Sequence, residues 1–181
     1  MNLTRRGLVA GLAGLAPVTA AFAAATSDPQ ADRAAAAALR QLIAEAPAAR
    51  QLNDSAVAVL VLPRIVKAGF LFGGAYGEGV LLQGGKTLGY YNSAAASYGL
   101  QAGVQWFGYA LFFMNADALK NLHSSQGFEI GVGPSVVVVD QGMAKKFGST
   151  TLTQDIYAFI VGQKGLMAGL GIEGSKITRI K

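Results

Sequence analysis

The segment VKAGFLFGGAYGEGV, Val66 to Val80, repeats with a period of two. Gly69, Leu71, Gly73, Ala75, Gly77 and Gly79 fall on one side; Phe70, Phe72, Gly74, Tyr76, Glu78 and Val80 fall on the other. In a helix the glycines would scatter around the surface, each costing about 1 kcal/mol relative to alanine. In a strand they gather on one face, leaving it nearly bare. Such a face belongs to a strongly coiled strand or to backbones that approach one another closely. The segment is therefore read as a glycine-rich strand, and not as a phosphate-cradling loop or a membrane-spanning helix.

The alternation continues in SYGLQAGVQWFGYALFFM from Ser97 and recurs in FEIGVGPSVVVVD, Phe128 to Asp140. SAVAVLVLP, Ser55 to Pro63, is a short apolar strand closed by proline, and TQDIYAFIV, GLMAGLGIEG and SKITRIK return the last third to strands. Helical spacing occurs in two places. The Ala-rich stretch Asp32 to Gln51 sets Leu39, Leu42 and Ile43 at i, i+3, i+4, and Pro47 ends or kinks it. NADALKNLH predicts a short helix near 115–123, with Asn115 as cap and Asp117 in the first turn. The expected class is α+β: a strongly curved, glycine-rich antiparallel β-sheet approaching a barrel, with an N-terminal Ala-rich helix at its edge.

The N-terminus reads differently. Arg5 and Arg6 precede an uncharged run from Gly7 to Ala20, followed by Ala21-Phe22-Ala23 and Ala23-Ala24-Ala25. Residues 1–25 are thus expected to be a cleavable export signal, with TRRGLVA pointing to the twin-arginine type over an ordinary secretory signal. A helical segment, 26–55, and a β-rich domain, 56–181, would follow, and the mature protein would be periplasmic. Removing Arg5 and Arg6 leaves thirteen Lys/Arg against ten Asp/Glu, a net charge of +3 in place of +5. That surplus favours anionic surfaces and gives no support to nucleic acid as a partner. The chain has no cysteine, which removes disulfides, thiolate metal sites and thiol nucleophiles together.

Catalytic motifs do not assemble. GGKT at Gly84 to Thr87 lacks the earlier glycine of a P-loop, since Val80 stands there, and is followed by strand-like LGYYN; it predicts a hairpin turn. GLGIEG has dinucleotide spacing but only seven residues beyond Gly174. His123 is the only histidine and reads as structural, placed to interact favourably with the dipole of the short helix. No G-x-S-x-G occurs, and Glu78, Glu129, Asp140, Asp155 and Glu173 are dispersed singly. The tyrosines and Trp106, at period two, are expected in the core, the alternative being that they line an apolar cavity. The expectation is a protein that is not an enzyme and needs neither cofactor nor metal.

Five blocks carry a family resemblance: VKAGFLFGGAYGEGVLL, YYNSAAASYGLQAGVQ, NADALKNL, VGPSVVVVD and KGLMAGLGIEGSKITRI. In this order and spacing, from Ala56 to Lys181, the chain resembles the SYLF domain. The resemblance implies lipid binding: eukaryotic members are associated with phosphoinositides and some fungal ones with actin, while bacterial members are exported envelope proteins. Where the eukaryotic proteins carry a more basic amphipathic segment, Ala31 to Ala46 here has only Arg33 and Arg40.

The function expected is a non-catalytic module of the bacterial cell envelope that binds anionic phospholipid or a membrane surface. The alternative is a periplasmic scaffold that binds a protein partner through a sheet edge. An outer-membrane barrel fits less well, for the alternation lacks aromatic girdles. Candidate lipid-binding residues are Arg64, Lys67, Lys164, Lys176 and Arg179. Lys145/Lys146 has fewer apolar neighbours than Arg64/Lys67, flanked by Ile65 and Val66, or than Lys176/Arg179/Lys181, flanked by Ile177 and Ile180.

Overall fold

The computed structural model describes residues 27–124, 127–140, 152–162, 165–166, 172 and 174–181. The expected export signal and most of GLMAGLGIEG lie outside them.

Two helices open the described chain. In α1 (Pro29–Glu45) the carboxylate of Asp28 caps the first turn, accepting from the backbone N–H of Gln30 and Ala31, and Pro29 occupies the first turn, where its missing N–H costs nothing. Pro47 cannot extend this helix. It forces Ala46 into an extended conformation (φ −123°, ψ 104°) and starts α2 (Pro47–Ser55) instead. Ala35, Leu42, Ala48, Ala49 and Leu52 are buried, and the small alanines bring both helices close to the sheet.

The core of the fold is one long hairpin. β1 (Ala58–Gln83) and β2 (Lys86–Phe113) pair antiparallel along their whole length, joined by Gly84 and Gly85 at φ +54° and +81°. Two positive φ values define the tight turn whose twist suits a hairpin, and glycine tolerates both. The proline expected to close the first strand does not do so. β1 runs through Pro63 because the register shifts between Leu62 and Ile65, and the residue without an N–H falls on that irregularity.

The bare glycine face folds back on its own strand. A Cβ on Gly77 would strike Ile65 Cδ1 and lie 2.5 Å from the Arg64 carbonyl oxygen and 3.1 Å from Ile65 Cα. On Gly79 it would strike the Val61 carbonyl oxygen and lie 2.6 Å from Leu62 Cγ. The second half of β1 thus crosses over the first at backbone contact, curling the sheet.

Further strands complete it. β5 (Ile156–Gly162) pairs antiparallel with Phe107–Phe113, and β7 (Lys176–Arg179) with Tyr91–Ala94. β3 (Phe128–Glu129) adds to β7, and β6 (Gly165–Leu166) to β5. β4 (Val136–Val138) lies parallel to β5, the one departure from an antiparallel sheet among the described pairings. The expected strand Phe128–Asp140 is broken between β3 and β4, with Gly131 and Gly133 at φ +100° and +99° before Pro134. α3 (Ala116–Leu122) forms as expected, its N-terminal N–H of Ala118 bonded to Asn115 at 2.8 Å. The Asp155 carboxylate joins that cap to the β4 approach, accepting from Asn115 Nδ2 and from the N–H and hydroxyl of Ser135. Those bonds hold its pKa below the usual value.

Alternation then sorts side chains into two cores. Leu60, Leu62, Ile65, Tyr91, Tyr109, Leu111 and Phe113 face the inside of the curl and pack with Ala118 and Leu122 of α3. Val59, Val61, Val80, Tyr90, Ala110, Phe112 and Phe159 face outward and are covered by α1 and α2. The Asp32 carboxylate fastens α1 to this face, accepting from Thr87 Oγ1 at 2.8 Å and from the Tyr90 hydroxyl at 3.1 Å.

Candidate functional site

Helical cover of the outer face ends near Gly108. Ala110 and Phe112 are buried beneath the helices, whereas Trp106 and Val104, two and four residues back on the same face, are 46% and 61% exposed. Register places Val66 opposite Trp106 and Ala68 opposite Val104 on that side, and Val66 is 37% exposed. The four residues form an exposed apolar ribbon across the middle of the hairpin. Arg64 lies over the indole of Trp106, its Cζ 3.7 Å from the ring centroid. Stacking engages the guanidinium face, so N–H donors along its edge stay available to an anion.

Arg64 and Trp106 also border a groove of about 290 Å³ between the C-terminal half of α1 and the sheet. Leu42, Pro63 and Val161 give it apolar walls, and Gln41 and Glu45 stand on the helix side, hydrogen-bonded to each other at 2.8 Å. A second cavity, about 540 Å³, lies between α3, β3 and β7 and is bordered by Asn121, Glu129, Val132, Lys176 and Thr178.

The predicted cations are therefore distributed. Arg64 sits on the ribbon; Lys67, opposite Gln105 and half-buried, alternates away from Val66. Lys176 borders the second cavity and pairs in register with Glu129. Arg179 turns back on the main chain, donating to the carbonyl oxygens of Lys181 at 3.0 Å and Leu88 at 3.3 Å. Lys164, Lys145 and Lys146 lie outside the described residues. Of the apolar neighbours expected to seat the cations, Ile65 and Ile177 are buried in the inner core, and Val66 and Ile180 are exposed.

Trp106 is the residue that sequence reasoning misplaced. Period two put it on the face of Val104 and Gly108 but gave no sign that the helices stop short of it. His123 accords with a structural reading, its Nδ1 2.9 Å from the hydroxyl of buried Tyr91. Desolvation and the nearby Arg179 lower its pKa, so the expected attraction of a protonated ring to the helix dipole does not prevail. The Tyr109 hydroxyl is buried and raised in pKa by that burial; Ser93 is near, yet no hydrogen bond of acceptable geometry forms. Among the described residues no group of three His, Cys, Asp or Glu could hold a metal ion, and no helix is long and apolar enough to cross a membrane.

None of the curated proteins matches the chain. Residues 94–181, from the first third of β2 to beyond β7, match the family described as Ysc84, Las17-binding protein actin regulator. That match, over residues that include Trp106, Lys176 and Arg179, makes this segment similar to the Ysc84 (SYLF) family.

Proposed function

We propose that this protein is a non-catalytic module that binds anionic membrane surfaces, seating the ribbon of Val66, Val104 and Trp106 in the bilayer interface with Arg64 on the phosphates. The exposed Trp106 with Arg64 stacked on it carries this reading. Tryptophan favours the interfacial zone, and a surface binder needs an apolar and an electrostatic contribution together. The family match at 94–181 supports lipid or protein binding in general. The export-signal pattern of residues 1–25 supports work in the bacterial periplasm, peripheral to a membrane.

Vesicle flotation tests the proposal. Each cation at an anionic surface contributes about 1 kcal/mol, so Arg64→Glu is expected to weaken binding to anionic vesicles at low salt by well over fivefold. Lys120→Glu, at an exposed position of α3, serves as control. Equal losses in both variants would mean that net charge alone matters. Recovery of a protein partner in cells, with no affinity for vesicles, would favour the scaffold reading.

A further inference from the structure

The groove beside the ribbon differs from an ordinary surface cleft in three respects. Its walls are apolar: Leu42 on the helix side, Pro63 on β1, Trp106 on β2 and Val161 on β5. Its volume, about 290 Å³, stands at the small end of the roughly 300–1,000 Å³ of small-molecule sites, room for one slender ligand. It shares Arg64 and Trp106 with the exposed ribbon, so a molecule leaving the interface meets the groove without crossing water.

We propose that the groove takes the acyl chain of a single-chain phospholipid, with the lipid phosphate on Arg64. The inference rests on the membrane-surface reading and names the ligand of the same site. An acyl chain suits walls that offer few polar partners and a cavity too small for two chains. A phosphate suits Arg64, because a stacked guanidinium keeps in-plane donors for two oxygens at once. Glu45 on the opposite rim repels a free anion there, which leaves the strand side, where Arg64 stands, as the seat for the headgroup.

The experiment uses the purified chain and lysophosphatidylglycerols of increasing chain length, each below its micelle threshold, so that no membrane surface is present. Glycerophosphoglycerol supplies the same headgroup without a chain. Binding is expected to tighten by up to about fourfold for each added methylene, the factor that burying one CH₂ represents, and then to level off once the groove is full. Ala38→Phe, which places a ring in the groove from α1, should weaken binding of the longest monomer at least tenfold while leaving vesicle flotation unchanged. If the chain-free headgroup binds as well as the lysolipids, or affinity ignores chain length, the groove is no acyl site even where vesicles still bind. If monomers bind with the expected length dependence but vesicles do not, the acyl site stands and the surface reading falls. The wild-type length series decides the matter should Ala38→Phe fail to fold.

Discussion

Gly77→Ala is the smallest change that challenges the fold. The added Cβ would meet Ile65 Cδ1, the Arg64 carbonyl oxygen at 2.5 Å and Ile65 Cα at 3.1 Å. A rotamer change can move the Ile65 methyl, but the carbonyl and Cα belong to the crossing segment of β1, so relief requires the two halves of the strand to part. Overpacking of this kind costs typically about 1–3 kcal/mol, and main-chain obstruction puts Gly77 at the upper end. For a chain of 181 residues, each kcal/mol lowers the melting temperature by roughly 2–4 °C, which gives a loss of about 6–12 °C. Gly74→Ala is the control, since among the described residues its Cβ would meet only the Ala95 carbonyl oxygen at an ordinary 3.6 Å. That substitution should be neutral or slightly stabilising, because alanine loses less backbone entropy on folding. The assay is thermal unfolding followed by circular dichroism. If both variants melt within 2 °C or so of the parent, the crossing at Gly77 is absent and the curvature needs another cause.

Two further substitutions probe the buried Tyr109 hydroxyl and the exposed His123 at the end of α3. Tyr109→Phe removes a buried hydroxyl that has no hydrogen-bond partner among the described residues, so it should raise stability by up to about 1 kcal/mol in a denaturant titration; a loss of that size would show that the hydroxyl is bonded, for instance to a buried water. His123 has a folded pKa below its unfolded value, so the unfolded state takes up the proton first and stability falls as pH drops through about 6.5. His123→Gln should flatten the slope of stability between about pH 7 and pH 5, and an unchanged slope would assign it to other groups.

How much was legible in the sequence follows from what sets each feature. The alternation around Gly69–Gly79, the Gly84-Gly85 turn, the break at Pro47 and the Asn115 cap are local, and each appears where local chemistry put it. Pro63 misled because a bulge relieves it, and the bulge depends on the partner strand. Phe128–Asp140 alternates like a strand, but Gly131, Gly133 and Pro134 turn the backbone out of extended geometry midway. That the bare face touches Arg64 and Ile65 is a contact across twelve or more residues, and no period in the sequence encodes it. The candidate site was half legible. The sequence groups Arg64 with Val66, whereas it points Trp106 to the core, because periodicity tells which residues share a face but not where the covering helices end. Ile177 went the opposite way, since pairing with Phe128 draws it inside.

Trp106 is the only tryptophan in the chain, so its fluorescence reports on the proposed membrane seat without any label. Exposed at 46%, it should emit as a water-accessible indole when the protein is free. On titration with anionic vesicles at low salt, the emission should move to shorter wavelength and become shielded from an aqueous quencher, and added salt should reverse both changes as the protein releases. Flotation of the same samples gives the bound fraction independently. Protein that floats with the vesicles while its emission and quenching stay those of the free form would contradict the account, because binding would then use a surface that Trp106 does not share.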